Sequence, residues 1–315
     1  MTSYLVALLT AGGFYALLAL ALNLQFGLTG LVNFGVAGFY ALGAYASALA
    51  TERLGLPIGL ALAGAAALGG LAGLAVAALS GRLAGDYLAI VTLGFAELVR
   101  LVLLNEDWLT RGPRGLPIST GWLPAGMDRV AGGWAWLGIV GAAVLLTYLL
   151  MERLRRSPFG RALRAVREDP LIPAVLGRDA QGFRLRAFAI GGAVMGAAGA
   201  LYAHWVLSIS PDHFRTPVTI LAWMAVVVGG AGNMRGVLLG ALLVMAVFEG
   251  TRFLGGVLPG LDAERLAALR VVLVGITLIL AIRLRPRGLL PEPRTLTADL
   301  GGRAASLGGR TGENA

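Results

Sequence analysis

From Ile58 to Ser80 the chain reads IGLALAGAAALGGLAGLAVAALS, a stretch without one charged side chain. A helix needs about 20 apolar residues to cross the ~30 Å hydrocarbon core of a bilayer, and this stretch is long enough. Its many Gly and Ala residues are typical of membrane helices, because small side chains let neighbouring backbones approach closely. The stretch therefore predicts a membrane-spanning helix that packs tightly against others.

Further apolar segments recur along most of the chain. They cover residues 3–22, 28–50, 86–104, 134–151, 187–207, 218–232, 236–254 and 269–284. Only 14% of the 315 residues are charged and 57% are hydrophobic, whereas soluble proteins are roughly 25% charged. We therefore predict an all-α, polytopic integral membrane helical bundle over residues 1–290. No Arg precedes Arg53, so the first segment lacks the basic N-terminal region of a signal peptide. It is therefore expected to be retained as a helix.

The residue types that are missing exclude several activities. All 26 basic residues are Arg, so the chain lacks the Lys that a P-loop ATPase needs to reach the phosphates of ATP. There is no Cys, hence no thiolate metal site and no disulfide. The sequence pI of about 10.9 does not indicate nucleic-acid binding, because nine of the 26 Arg residues fall in one stretch between two apolar segments, as expected for a cytoplasmic membrane loop. We expect no cofactor and no bound metal.

Charge in the loops predicts the orientation of the helices. Residues 152–186 hold nine Arg residues against four acidic ones, which places this loop in the cytoplasm by the positive-inside rule. Alternation from that loop puts Arg235, Arg283 and Arg287 inside as well, and the N-terminus outside if segment 28–50 crosses once. We predict a multi-pass protein of the inner membrane. Residues 291–315 are polar and rich in Gly and Arg, so they are expected to form a disordered cytoplasmic tail.

Two Gly-rich interruptions are expected to break helices at membrane depth. Residues 23–38 read NLQFGLTGLVNFGVAG, and residues 229–233 read GGAGN in the other half of the chain. Gly costs up to about 1 kcal/mol in a helix interior, and paired discontinuous segments often mark a translocation path. The alternative is plain close packing of small residues. The path hypothesis rests on Gly30, Asn33, Gly35, Gly38, Gly230, Gly232 and Asn233.

Each half of the chain also carries a Glu–x–x–Arg motif inside an apolar segment. The motifs are Glu97–Arg100 and Glu249–Arg252, and their similar placement indicates an internal repeat. Residues three apart share a helix face, so each pair can neutralise its charges within the membrane. Alternatively, both side chains extend toward the outer interface.

The cytoplasmic loop contains a start signal for an amphipathic helix. Ser157 is suited to the N-cap and Pro158 to the first turn, while Phe159, Leu163 and Val166 fall on one face. Arg161, Arg164, Arg167 and Glu168 are expected on the remaining surface. A second short helix over residues 170–176, ending at Gly177, is expected to follow. Such an element could dock a partner protein or lie on anionic lipid.

Several motifs together resemble the LivM-like permeases of branched-chain amino acid ABC transporters. They are SPFGRALRAVREDP at 157–170, GLTGLVNFG at 27–35, YLAIVTLGFAE at 87–97 and RPRGL at 285–289. The resemblance covers nearly the whole chain. It implies a second, LivH-like permease subunit, two cytoplasmic ATPase subunits and a periplasmic substrate-binding protein. ATP hydrolysis would then take place on the separate subunits, with Ser157, Phe159, Arg161, Arg164 and Glu168 coupling it to transport.

Departures from the family pattern leave the substrate open. Val36 stands where a polar residue often follows Asn-Phe-Gly, Arg111 and Arg114 interrupt a usual Gly-rich motif, and Pro173 is unusual in the coupling loop. Related permeases carry urea and short amides, which are the alternative substrates.

Two other classes of protein are less well supported. A secondary transporter would use Glu97 or Glu249 in an ion site. A membrane enzyme would need a cluster around His204 or His213, which have no carboxylate pair beside them.

Overall fold

The computed structural model describes residues 2–80, 85–119, 121–123, 128–169, 179–257, 263–285 and 287–292. At residues 129, 251–257, 263–267, 270, 271, 274 and 282 only the backbone is described. Within these ranges the chain is helical almost throughout. The helices are α1 Thr2–Gln25, α2 Val36–Glu52, α3 Ile58–Leu79, α4 Asp86–Asn105, α5 Asp107–Thr110, α6 Arg129–Arg156, α7 Pro158–Glu168, α8 Ala180–Val206, α9 Thr216–Gly229, α10 Met234–Val257 and α11 Ala263–Leu284.

The predicted all-α membrane architecture is confirmed. Each predicted apolar segment overlaps one of the helices, although segment 28–50 becomes helical only at Val36. Five described helices are long and apolar enough to cross a membrane: Thr2–Gln25, Ile58–Leu79, Asp86–Asn105, Val130–Arg156 and Ala180–Val206. The second half of α1, from Ala16 to Gln25, is buried on every side. A central helix of this kind must be apolar all round, which explains why α1 has no polar stripe.

Glycines bring α8 into backbone contact with α2 and α3. A Cβ atom at Gly69 would collide with the carbonyl of Gly192, and one at Gly43 would collide with the carbonyl of Gly196. Gly199 lies equally close to the carbonyl of Tyr40. Helices in lipid gain little from hydrophobic burial between them, so close van der Waals packing of this kind is a principal source of stability.

The loops fall at two opposite ends of the bundle. At one end, which we call the α7 end, the turn after α1 meets α7, and Asn233 at the start of α10 meets Pro291 through a 3.0 Å hydrogen bond. At the other end, Arg53 donates to the carbonyl of Trp108 at 2.6 Å, and Leu116 pairs with Ile209 in a two-stranded sheet. The sheet joins β1 (Leu116–Pro117) to β2 (Ser208–Ile209). This grouping agrees with the alternation predicted from loop charge.

The buried His204 has a structural partner. Its Nε2 atom lies 2.9 Å from the hydroxyl of Ser47, joining α8 to α2. His213 lies in the loop after β2 against Tyr202, where burial lowers its pKa while the charge of Asp212 acts in the opposite direction. Ser47 and His204 are both buried, 0% and 1% exposed, so their contact joins two helices inside the bundle. Within the ranges that the structure describes, no group of three His, Cys, Asp or Glu residues could hold a metal ion.

Sidedness is directly testable because the chain has no native Cys. A Cys introduced at Arg156, exposed at the α7 end, is expected to react with an impermeant maleimide only from the cytoplasmic side. A Cys at Leu54, 71% exposed at the opposite end, is expected to react only from outside. Labelling would be compared in intact cells and inverted vesicles. Reaction of Leu54→Cys from the cytoplasmic side would contradict the orientation that the loop charges predict.

Candidate functional site

The first helix break lies between α1 and α2. Residues 26–35 leave the helical path, and Gly30 adopts a positive φ of 70° that favours glycine. Polar side chains bond to the groups that the break exposes: Asn33 donates to the Gln25 side chain at 2.7 Å and accepts from the Gly35 backbone N–H at 2.7 Å. Trp223 donates to the Asn33 carbonyl at 2.9 Å. A break at membrane depth is tolerated because protein groups meet these polar atoms.

The second break separates α9 from α10. Gly230 and Gly232 have positive φ angles of 110° and 86°. The side-chain oxygen of Asn233 accepts from the Arg235 backbone N–H at 3.0 Å, which caps the start of α10. The segment after α11 closes the end of α9, since the Leu290 N–H donates to the Gly229 carbonyl at 3.0 Å. Both predicted breaks are therefore present.

The two breaks meet at the α7 end. The Gly232 N–H donates to the side-chain oxygen of Asn23 at 2.8 Å. A Cβ atom on Gly27 would lie 2.5 Å from the Gly232 nitrogen, so only glycine allows this approach. A backbone N–H and a side-chain oxygen thus join residues that are 209 positions apart in the chain.

The seven residues of the path hypothesis divide into two groups. Gly30, Gly230, Gly232 and Asn233 lie at the α7 end near this junction. Asn33, Gly35 and Gly38 lie further along the first break, where α2 packs on α4: a Cβ atom at Gly38 would be 2.8 Å from Cα of Ala96. The glycines therefore also serve close packing, the alternative reading of the pattern. A role for these residues in transport stays a prediction.

Helix α7 begins and ends where the sequence predicts. The Ser157 side chain accepts from the Gly160 N–H at 3.3 Å as an N-cap, and Leu163 and Val166 are buried. Arg161 and Glu168 are exposed, and Arg164 is partly so. The predicted second helix at 170–177 lies outside the described residues.

Phe159 has a different environment from the one we expected for a docking anchor. Its ring packs on Phe183 at the start of α8, with ring centroids 5.7 Å apart. The apolar face of α7 thus packs at least partly within the chain, and Phe159 is only partly buried. A coupling role for Phe159 stays a prediction.

Arg167, which the sequence predicts on the polar face of α7, is partly exposed and makes contacts that the sequence does not predict. Its guanidinium donates to the Gly27 carbonyl in the first break and forms a 2.8 Å ion pair with Glu292. The carboxylate of Glu292 in turn lies against Gly232, since a Cβ atom there would be 2.8 Å from the Glu292 Cδ. We call Asn23, Gly27, Arg167, Gly232 and Glu292 the junction. Pro291 and Glu292, which we had assigned to the tail, take part in these contacts, while residues 293–315 lie outside the described residues.

The first Glu–x–x–Arg motif forms an ion pair. Arg100 donates through Nη2 to Glu97 at 2.5 Å and through Nε to both carboxylate oxygens. In the second motif, Glu249 is buried and its carboxylate accepts from the Tyr4 hydroxyl at 3.4 Å. The side chain of Arg252 lies outside the described residues, so that pair stays a prediction, as does the internal repeat.

An all-α bundle of apolar helices, with two helix breaks joined at its α7 end and a capped amphipathic helix against them, is the architecture of a membrane transport permease. The chain belongs to the family described as the permease component of the branched-chain amino acid transport system, whose model matches residues 4–282. No solved structure shows a significant match.

Named relatives agree with this family. The chain is 36% identical over 307 residues to the high-affinity branched-chain amino acid transport system permease protein LivM of Escherichia coli, covering 89% of this chain and 68% of the relative. It is 30% identical to a probable branched-chain amino acid transport permease protein LivM of Methanocaldococcus jannaschii, covering 95% and 96%. The LivH permease protein of Escherichia coli is 26% identical over 90% of this chain.

Proposed function

We propose that this chain is one of two permease subunits of an ATP-driven importer of branched-chain amino acids in the inner membrane. The observation that carries the proposal is the contact between α7 and the first helix break through Arg167. An importer powered by separate ATPases needs a cytoplasmic element that is joined to the transport path. Helix α7 meets that need, and the absence of Lys excludes a P-loop motor within the chain itself.

The partner subunits follow from the same reasoning. The similarity to both LivM and LivH proteins favours a complex in which a second, LivH-like permease of the same architecture completes the path. Two cytoplasmic ATPase subunits would dock on α7 and a periplasmic binding protein would deliver the substrate. Because these relatives are named as branched-chain amino acid transport permeases, branched-chain amino acids are the proposed substrates. No observation favours urea or short amides.

The docking surface is tested through the exposed charges of α7. Reversing Arg161 and Arg164 together to Glu is expected to weaken ATPase association by about tenfold or more, because like charges would then face each other across the interface. Phe159 is left intact, since it packs inside the chain on Phe183. The measurement is co-purification of the ATPase and leucine-stimulated ATP hydrolysis in vesicles containing the complete complex.

Arg114→Glu is the matched control, since Arg114 is exposed at the opposite end of the bundle. It should bind the ATPase as the wild type does. Wild-type association and hydrolysis in the α7 variant would remove the docking role. Failure of any ATPase to co-purify with the wild-type complex would instead contradict the ATP-driven function as a whole.

A further inference from the structure

A cavity of about 440 Å³ opens between the start of α2, the middle of α4 and the start of α9. Its lining has an apolar side that includes Phe34, Ile90 and Leu93. Polar groups come from Glu97 and Thr216. This volume is in the range of small-molecule sites, which are about 300–1,000 Å³ and combine an apolar lining with a few polar groups. The cavity lies beside the first break, but its polar groups are not among the residues of the path hypothesis.

The position of Glu97 shows which environment this cavity must face. Glu97 lies about 17 Å along α4 from Asp86, at 1.5 Å per residue, within a helix that is long and apolar enough to span the membrane. Its side chain is 47% exposed. A carboxylate at this depth is costly in lipid and almost always faces a bundle interior or a water-filled cavity. The cavity side of α4 therefore faces protein or water in the assembled transporter.

The ion pair with Arg100 leaves Glu97 able to bind another cation. Arg100 makes three hydrogen bonds to the carboxylate: Nε donates to both oxygens and Nη2 donates to Oε1. An ionised carboxylate has about four acceptor positions, so the exposed side can accept from an ammonium group.

The opposite wall offers groups for a carboxylate. Thr216 is exposed at the first residue of α9, and Thr219 follows one turn later with its hydroxyl 3.1 Å from the Ala37 nitrogen. The first turns of α2 and α9 thus approach each other at the cavity wall. Their positive ends add to the attraction that the hydroxyls exert on an anion.

We infer that this cavity is a transient binding site for a zwitterionic amino acid with a branched apolar side chain. The ammonium group binds Glu97, the carboxylate binds Thr216 and the side chain packs on Phe34, Ile90 and Leu93. The inference rests on the proposed import function and assigns its substrate site to α2, α4 and α9. The junction at the α7 end would separate this site from the cytoplasm.

Gly94 permits a sharp test because it lines the cavity and a Cβ atom there would meet nothing within 4 Å. Gly94→Leu should fill the cavity without disturbing the fold. In vesicles containing the complete complex, leucine uptake is expected to fall by about tenfold or more, since even one methylene too many in a hydrophobic pocket costs about 10- to 200-fold. Alanine uptake should fall less, because a smaller side chain needs less of the cavity.

Gly138→Leu is the matched control, because Gly138 is exposed on α6 and also has open space around its Cβ position. It should transport as the wild type does. Leu93→Ala provides a second variant, and it should raise the uptake of phenylalanine relative to leucine. Each measurement uses the amino acid at a concentration that saturates the binding protein.

The outcomes separate the site from the function. Wild-type uptake of both amino acids by Gly94→Leu, or an equal loss for both with loss of the second permease from the complex, would overturn the site. The second result would show that a partner side chain occupies the cavity. If the wild-type complex itself takes up no leucine with ATP, the proposed function fails independently of Gly94.

Discussion

Gly69→Leu is expected to prevent this protein from folding stably in the membrane. The Cβ atom of the new side chain would collide with the carbonyl oxygen of Gly192 and would also be 3.1 Å from Cα of Gly196. Overpacked side chains usually cost about 1–3 kcal/mol, but here the obstacle is the backbone of α8, which cannot change rotamer. Separating α3 from α8 would remove contacts that both helices need.

The comparison variant is Gly64→Leu on the same helix. Gly64 also lies on α3, but a Cβ atom there would meet nothing within 4 Å. The two variants change the composition identically. We expect Gly69→Leu to lower the midpoint of thermal unfolding in detergent by about 10 °C or more, or to yield no monodisperse protein, and Gly64→Leu to match the wild type. Equal behaviour of the two would show that the α3–α8 contact contributes little to stability.

The fold is largely predictable from local sequence. Long apolar segments predict helices because a bilayer leaves backbone groups no other partners. Ser157 and Pro158 predict the start of α7 because capping is decided by adjacent residues. The break after Gln25 also has local causes in the glycines and amides of residues 23–38. Each of these features depends on neighbours in the chain.

The junction could not be predicted in the same way. Gly232 bonds to Asn23, and Arg167 to Gly27, across 209 and 140 residues of chain. Helical periodicity placed Arg167 on the polar face of α7, where an Arg has no reason to contact buried backbone. The carbonyl that it binds is available only because α1 has ended, and that opening becomes visible only in three dimensions. The same limitation applies to the packing of Phe159 on Phe183.

Loss of Arg167 is expected to uncouple ATP hydrolysis from transport. Arg167→Ala would leave the Gly27 carbonyl and the Glu292 carboxylate without the donor that they share. It would also remove the direct hydrogen bond between α7 and the first break. Coupling free energies between sites are typically 1–3 kcal/mol, so uptake of leucine should fall about 5- to 150-fold. ATPase association and basal hydrolysis should persist, because the exposed side chains of α7 are unchanged.

Arg153→Ala removes a charge from an exposed position at the same end and should leave uptake unchanged. Glu292→Gln should have a smaller effect than Arg167→Ala, because Arg167 can still donate to Gly27 when the ion pair is lost. This graded order distinguishes a mechanical contact from a simple effect of charge. If Arg167→Ala transports as well as Arg153→Ala, α7 transmits its motion by another route. If Glu292→Gln instead reduces uptake as much as Arg167→Ala, the ion pair itself, and not the bond to Gly27, connects α7 to the helix breaks.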